Sequence, residues 1–563
     1  MIWLLPVALA LPLLLAPLVL HPRLRWLTAI APLPALATAL LLPTGTRVEL
    51  PWLLLGATLG LDRPGRIFLL FTAILWLAAG IQAVRTLRDD PHAGRFHLFF
   101  LLALAGNLWL ILALDLVGFY TGFTLMGIAS YALVIHDGRP ESLRAGKVYL
   151  ILTLLGETTL FMALVLIAFQ TGTLAPSAAD LARLGDLPIG LLLLGLAVKA
   201  GLMPLHVWLP LAHPAAPAPA SAVLSGTMIK AALLGWLRFL PLGTLALPDW
   251  GLVLVLAGLI SAILAPMIGL TQDNPKVVLA YSSVAKMGFM SLVLGVLMIR
   301  PELAPVGILG LALYAGYHAL TKGGLFLGVG LRHTAGPQTM VLFGLGLLAL
   351  VMAGPPLTGG VIAKDALKPV LSALAADRMS VGLTLVGVTT ILLMLRFLWT
   401  IWRTVPHPEP GYRAVTGVWG LLIGLVLVLP PLVAFLSGAR LDWTSNLGPL
   451  AMGLALGLPV LLVARWRPAW RAPLVGRIPP GDLLELLRPL PPRLRQFWHW
   501  LGARWASLRA RLLDRPGAWL GAAWRARSPS RLELALGRWD NAGLLWIAIL
   551  TLLGIALGVG RAD

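Results

Sequence analysis

Residues 188–210 read PIGLLLLGLAVKAGLMPLHVWLP. The run is apolar and long enough to cross a bilayer, which takes about 20 such residues. It nevertheless holds a cation, Lys199, at its middle, with Pro204 and Pro210 towards its end. A charge at that depth costs about 2.5–3.5 kcal/mol on insertion scales. Proline removes a backbone donor, so the segment reads as a membrane helix broken at depth.

Outward from there, similar runs recur along the chain. They fall near 2–20, 26–42, 65–83, 95–113, 115–136, 146–170, 188–209, 220–240, 250–270, 277–299, 305–331, 340–372, 381–403, 414–437, 445–465 and 541–560. The expected fold is all-α, a polytopic membrane protein of about 14–16 transmembrane helices. The turn-flanked alternation of β-barrel strands is absent from the pattern. Composition agrees. Of 563 residues, 59% are apolar and 12% charged, and mean hydropathy is +0.89. Soluble proteins carry roughly 25% charged residues, so a soluble enzyme, a disordered chain and a nucleic-acid binder are excluded. The absence of cysteine removes disulfides, thiolate metal sites and iron–sulfur ligation.

The net charge of +20 is read through topology. Arg23 and Arg25, Arg85 and Arg88, Arg139 and Arg144, and Arg403 and Arg413 follow odd-numbered spans. Residues 465–538 add 15 Arg against four acids. The positive-inside rule places these loops in the cytoplasm of a bacterial-type inner membrane, with the N-terminus outside. Leu484, Leu487, Trp498, Trp500, Trp505, Trp519 and Trp524 mix with arginine at helical spacing. They suggest amphipathic helices against lipid or a neighbouring subunit.

A second interrupted span contains Gly354-Pro355-Pro356-Leu357-Thr358-Gly359-Gly360. Paired broken helices in two halves of a chain point to an inverted-repeat transporter. The lysines sharpen this. Only eight residues are Lys against 35 Arg, and five of the eight lie within apolar spans: Lys199, Lys230, Lys286, Lys322 and Lys364. Arginine keeps its proton, whereas a desolvated lysine can release one. Acids at depth are too few to pair all five: Glu157 sits mid-span, and Asp115 and Asp365 lie near ends or breaks. Tyr314, His318 and Lys322 are spaced to share one helix face, as are Lys199 with His206 and Ser282 with Lys286. His213 is expected at the unwound end of the first broken span. Histidine passes protons between its two nitrogens. Haem ligation by His206 with His318 is the competing chemistry, with nothing else suggesting a haem pocket.

Residues 197–239 resemble a known family. Ala197-Val198-Lys199-Ala200, Pro204-Leu205-His206-Val207-Trp208-Leu209-Pro210, His213-Pro214-Ala215-Ala216-Pro217, Ser221, Leu224-Ser225-Gly226, Lys230 and Arg238 carry the likeness. So do Leu279-Ala280-Tyr281-Ser282-Ser283 with Met287-Gly288, His318-Ala319-Leu320 with Lys322 and Leu325-Phe326, and Pro355-Pro356-Leu357-Thr358-Gly359 with Lys364. These motifs, across roughly 65–400, resemble the proton-conducting antiporter-like subunits of respiratory complex I, membrane-bound hydrogenases and Mrp-type cation/proton antiporters. The resemblance implies 14 core helices. It also implies two inverted five-helix repeats, each with one broken helix, around an axis of lysines, histidines and water. On it the chain divides into N-terminal helices (1–94), a first repeat (95–240) and a second (250–403). C-terminal helices (414–465), the basic segment (466–538) and a last helix (541–560) follow. Lys199 would be the proton carrier of the first half and Lys230 the link between halves. His318 and Lys322 would lie on the second axis, and Lys364 beyond the second break.

Four departures stand out. The family's Trp-Glu-Leu-Met is here Phe123-Thr124-Leu125-Met126, without the glutamate that pairs with the broken-helix lysine, and the acid before Ala212-His213 is Leu211. The position before Met287-Gly288 is Lys286, in place of the usual His or Gln, and the connection 332–339 is short. Glu157, one helix on, is the expected substitute for the missing acid.

The expected function is a proton-translocating subunit of a multisubunit membrane complex, coupled to redox work or cation exchange. The alternatives are a non-transporting scaffold and a proton-driven subunit of a small-substrate or ion uptake complex. No Gly-rich nucleotide fingerprint, catalytic residue set, metal site or cofactor site is expected in this chain. Its partners are other membrane subunits and lipid, and nucleic acid is excluded.

Overall fold

A computed structural model describes residues 2–334, 338–374, 380–404, 413–436, 446–466 and 478–486, with single positions at 444, 500 and 504. The chain forms two units. One comprises residues 1–50 and 57–481, and the other 51–56 and 482–563.

In the first unit, α1 (Leu4–Leu15), α2 (Leu27–Ile30) and α3 (Leu33–Leu41) precede a two-stranded ribbon. Its strands, β1 (Arg47–Leu50) and β2 (Ala57–Gly60), pair antiparallel with Arg47 opposite Gly60. This ribbon was not expected from the hydropathy pattern, which does not register four-residue strands. Then come α4 (Arg63–Thr86), α5 (Ala93–Leu112), α6 (Leu116–Val134), α7 (Pro140–Thr171), the short α8 (Ala178–Leu181) and α9 (Asp186–Ala200). Helix starts follow local chemistry. The Asp62 carboxylate accepts from Gly65 N at 2.7 Å to open α4, and that of Asp115 accepts from Gly118 N at 2.6 Å to open α6. Asp115 also accepts from Thr58 N at 2.9 Å, which ties the ribbon to this helix end.

The first predicted break is real. After α9 the chain is non-helical until α10 (Trp208–Ala215), with α11 (Ala218–Gly226) and α12 (Ala231–Phe239) following. His213 lies on α10, not on unwound chain. The span 220–240 is also interrupted, by a 3₁₀ turn at Met228–Lys230, where the sequence offers a lone Gly226 and no proline. Continuous helices α13 (Pro248–Leu270), α14 (Pro275–Ile299) and α15 (Ala304–Thr334) come next. The second break separates α16 (Gln338–Ala353) from α17 (Gly359–Asp365) and α18 (Lys368–Leu374). Leu357 there has φ 64°, a left-handed conformation that branched and bulky side chains rarely adopt. Helices α19 (Ser380–Arg403), α20 (Arg413–Leu436) and α21 (Leu447–Trp466) complete the unit.

Among the described residues, eleven helices are long and apolar enough to cross a membrane. Of the other expected spans, 2–20 and 445–465 correspond to shorter apolar helices. Spans 188–209 and 340–372 are divided by their breaks, and 541–560 lies outside the described residues. The protein is a polytopic, all-α membrane protein.

Two tight helix pairs hold the scaffold. A Cβ on Gly106 would lie 2.7 Å from Gly122 O, and one on Gly122 would lie 2.8 Å from Gly106 O, so α5 and α6 touch backbone to backbone. Gly258 and Gly288 do the same for α13 and α14 at 2.5 and 2.6 Å. Small residues permit such contact, and van der Waals packing then holds the helices without a hydrophobic driving force. At one helix end, Arg238 forks onto Asp62 at 2.9 Å and donates to the carbonyls of Leu110, Ile111 and Ala113. It thereby satisfies the last carbonyls of α5.

In the second unit the described residues include α22 (Asp482–Leu486), and the Arg504 guanidinium lies 4.6 Å from the Trp500 ring centroid. Most of the basic segment lies outside the described residues.

Candidate functional site: a buried lysine–histidine array

Lys199 is the penultimate residue of α9, before Gly201 turns into the left-handed conformation at φ 67°. Glycine enters that region without a Cβ penalty and ends the helix. Across the break Trp208 Nε1 donates at 2.9 Å to Val198 O, which also accepts from Gly201 N at 3.2 Å. Lys199 is buried. Its Nζ donates to Tyr149 Oη at 3.2 Å, and Tyr149 passes the contact on to Gly127 O at 3.0 Å. The rings of Phe123 and Tyr149 both lie 5.5 Å from the ammonium, within cation–π range.

Glu157, Lys199, Thr153, Phe123 and Trp208 line a small cavity with room for about one water molecule. Glu157 is buried and its Oε1 has no hydrogen-bond partner among the described residues. That oxygen packs on the α-carbon of Gly127, one turn along α6 from Thr124. Thr124 Oγ1 is likewise unpartnered. Thus Glu157 faces the turn of α6 that follows Thr124. It shares a cavity with Lys199 without direct contact.

Lys230 and Lys322 are fully buried near the middle of the unit. The 3₁₀ turn frees the Ser225 carbonyl, and Lys230 Nζ donates to it. Lys322 Nζ donates to Leu279 O at 2.8 Å. Between these carbonyls, Ser225 Oγ and Ser283 Oγ are 2.6 Å apart, and Ser283 Oγ donates to Leu279 O at 3.0 Å. His318 shares the α15 face of Lys322, and both its ring nitrogens are buried without a partner among the described residues. His213 is in the same condition, stacked on Phe326 at 4.6 Å. His206 is buried with its ring 6.1 Å from that of Tyr281.

Lys286 Nζ donates to Thr390 Oγ1 on α19 at 3.0 Å. Lys364 is half-buried, not deeply embedded as its span suggests, and its Nζ donates to Asn446 Oδ1 at 3.1 Å. Asn446 Nδ2 donates to Ala353 O at 3.2 Å and Gly354 O at 2.6 Å, the carbonyls that the second break exposes.

The four buried lysines are therefore held by neutral oxygens, not by ion pairs. Sequence reasoning passed over Tyr149, Thr390 and Asn446, which hold Lys199, Lys286 and Lys364, because none is charged, and carried Ser225, Leu279 and Ser283 only as motif residues. It also passed over Lys276, at the start of α14, which donates to Ala216 O at 2.7 Å. Pro204 lies in the first break and Pro210 on α10 just after it; Pro355 and Pro356 lie in the second break and Gly359 opens α17.

The comparisons identify the family. A family model described as NADH:quinone oxidoreductase/Mrp antiporter, TM, matches residues 113–393, which include Glu157, every histidine above and all five lysines of the pattern. NADH-quinone oxidoreductase subunit N from Desulforudis audaxviator is 32% identical over 393 residues, covering 65% of this chain and 75% of that one. The chain belongs to this family. Another member of the antiporter-like family, hydrogenase-4 component B of Escherichia coli (strain K12), is 28% identical over 493 residues, 80% of this chain and 72% of that one. A chain of the Mrp complex from Dietzia sp. DQ12-45-1b shares the fold with TM-score 0.67 and 22% identity, over 98% of this chain and 62% of that one.

Proposed function

We propose that this chain is a proton-translocating, antiporter-like membrane subunit of a multisubunit complex. Protons move along Glu157, Lys199, His206, His213, Lys230, Lys286, His318, Lys322 and Lys364 with intervening water. The movement is coupled to redox work or cation exchange performed with partner subunits. The single observation that carries this reading is the set of buried lysines held by neutral oxygens beside interrupted helices. An ammonium paired to a carboxylate stays charged, whereas one held by hydroxyls and carbonyls can exist as the amine and exchange its proton. The names of its relatives, components of a hydrogenase and of NADH-quinone oxidoreductase, agree with a subunit role.

The element order supports two inverted repeats. Five crossings run from α5 to α12 and five from α13 to α19; in each set the fourth is broken by a non-helical stretch, and in the first set the fifth also carries the 3₁₀ interruption. Five is odd, so the second set enters from the opposite face. The glycine-paired contact recurs between the first two helices of each set. The arginine loops supply the orientation, with the basic segment cytoplasmic and the chain in a bacterial-type inner membrane.

Proton flux in vesicles containing the assembled complex tests the reading. Lys199→Ala and Lys230→Ala should each abolish flux while the chain still assembles. Full flux in both would favour a scaffold that has lost transport, a reading that Thr124 and Leu211, in place of family acids, otherwise recommend.

A further inference from the structure

The lysine array contains one gap that side-chain chemistry closes. Lys230 and Lys322 each dock on a backbone carbonyl, and a carbonyl accepts a hydrogen bond without having a proton to pass on. Both carbonyls adjoin a pair of hydroxyls. Lys230 sits on the carbonyl of Ser225, the residue whose Oγ is 2.6 Å from Ser283 Oγ. Lys322 shares its acceptor, Leu279 O, with Ser283 Oγ, at 2.8 and 3.0 Å respectively. Both serines are fully buried, and one lies on each half of the molecule, on α11 and α14.

The pair also has a direction. A serine hydroxyl carries one proton. Ser283 donates its proton to Leu279 O, so in the 2.6 Å contact it accepts and Ser225 donates. Ser225 Oγ then keeps acceptor capacity on the Lys230 side, and the donor end of the pair is beside Lys322.

We propose that Ser225 and Ser283 form a two-hydroxyl relay that carries protons from Lys230 to Lys322, joining the two halves. This rests on the proton-translocating reading above. The Lys230 ammonium swings from the Ser225 carbonyl to Ser225 Oγ and gives up a proton there. In the same movement Ser225 passes its own proton to Ser283, and Ser283 passes its proton to the neutral amine of Lys322. One N–H bond breaks, one forms, and each hydroxyl ends with one proton. Rotation of both hydroxyls resets the pair.

The test uses the full chain in its complex, in membrane vesicles, with flux read by a pH-sensitive dye and normalised to the amount of chain present. Ser225→Ala and Ser283→Ala should each lower flux by about 100-fold or more, consistent with loss of a positioned proton-transfer group. The double variant should be no slower than either single one, because the hydroxyls act in series. Ser225→Cys and Ser283→Cys, which keep a weaker donor, should fall between wild type and alanine. Where an alanine variant does not accumulate, the cysteine variant decides: reduced flux supports the relay and unchanged flux overturns it. Alanine variants that conduct at the wild-type rate, while Lys230→Ala and Lys322→Ala do not conduct, overturn the relay alone. Normal flux in the lysine variants overturns the translocation reading and the relay with it.

Discussion

At the scale of single residues, the choice of partner decides what a buried charge can do. Glu157 is the mid-span acid of this protein, and its Oε1 is unpartnered beside a cavity shared with Lys199. Glu157→Gln keeps the volume and removes the charge. Proton flux should be lost with no fall in the amount of assembled chain; a variant that conducts normally would leave Glu157 as packing only. Arg238 is the opposite case, a cation committed to structure. It holds Asp62 and three carbonyls, and losing one partner of such a buried pair costs about 3–5 kcal/mol. Arg238→Met should therefore lower the unfolding temperature in lipid or detergent without a change in the residual proton path. Burial alone would raise the Asp62 carboxyl, but the Arg238 charge and hydrogen bond and the Gly65 N–H outweigh it and hold it below its usual range. A depressed carboxyl stabilises the fold above the unfolded-state value and loses that contribution as pH falls through the folded one. Stability should thus drop on acidification below about pH 4, and Asp62→Asn should flatten that part of the pH profile, read by thermal unfolding.

At the scale of elements, the broken helices are the working parts. Two of the breaks were legible, because glycine and proline act locally on the backbone. The third, at Met228–Lys230, was not. It depends on Thr227, whose Oγ1 back-bonds to Val223 O at 3.0 Å while accepting from Trp76 Nε1 at 3.0 Å. Trp76 is 151 residues away in the chain, so no local window contains the signal. Asn446 was invisible for the same reason. An asparagine between apolar runs reads as a turn residue, and only the approach of α21 to the second break makes it the group that satisfies Ala353 O and Gly354 O and holds Lys364. Asn446→Ala should speed amide hydrogen exchange around residues 354–359 and reduce flux, and Asn446→Asp should keep the Lys364 contact but neither carbonyl bond, because a carboxylate has no donor. Unchanged exchange in Asn446→Ala would show that the break is held by other contacts.

At the scale of the whole molecule, orientation is the property to measure. The protein has no cysteine, so single cysteines can be introduced without background. Cysteines at Arg88 or Gly138 should react with a membrane-impermeant maleimide only from the cytoplasmic side, and a cysteine at Gly243 only from the opposite side, since three crossings (α7, α9–α10 and α11–α12) lie between Gly138 and Gly243. The reverse labelling pattern would invert the topology. Class, span positions and two of the interrupted helices were determined by the sequence by itself. Solvation of the backbone in lipid leaves few options, and hydropathy, proline and glycine all act within a few residues. The cations at depth were legible too, because a lysine in an apolar run is conspicuous. Which oxygens receive them was decided only by tertiary structure. Lys322 meets Leu279 O across 43 residues, Lys286 meets Thr390 across 104, and Lys364 meets Asn446 across 82. Those partners are neutral and common residue types. Helix packing, not local chemistry, selects them.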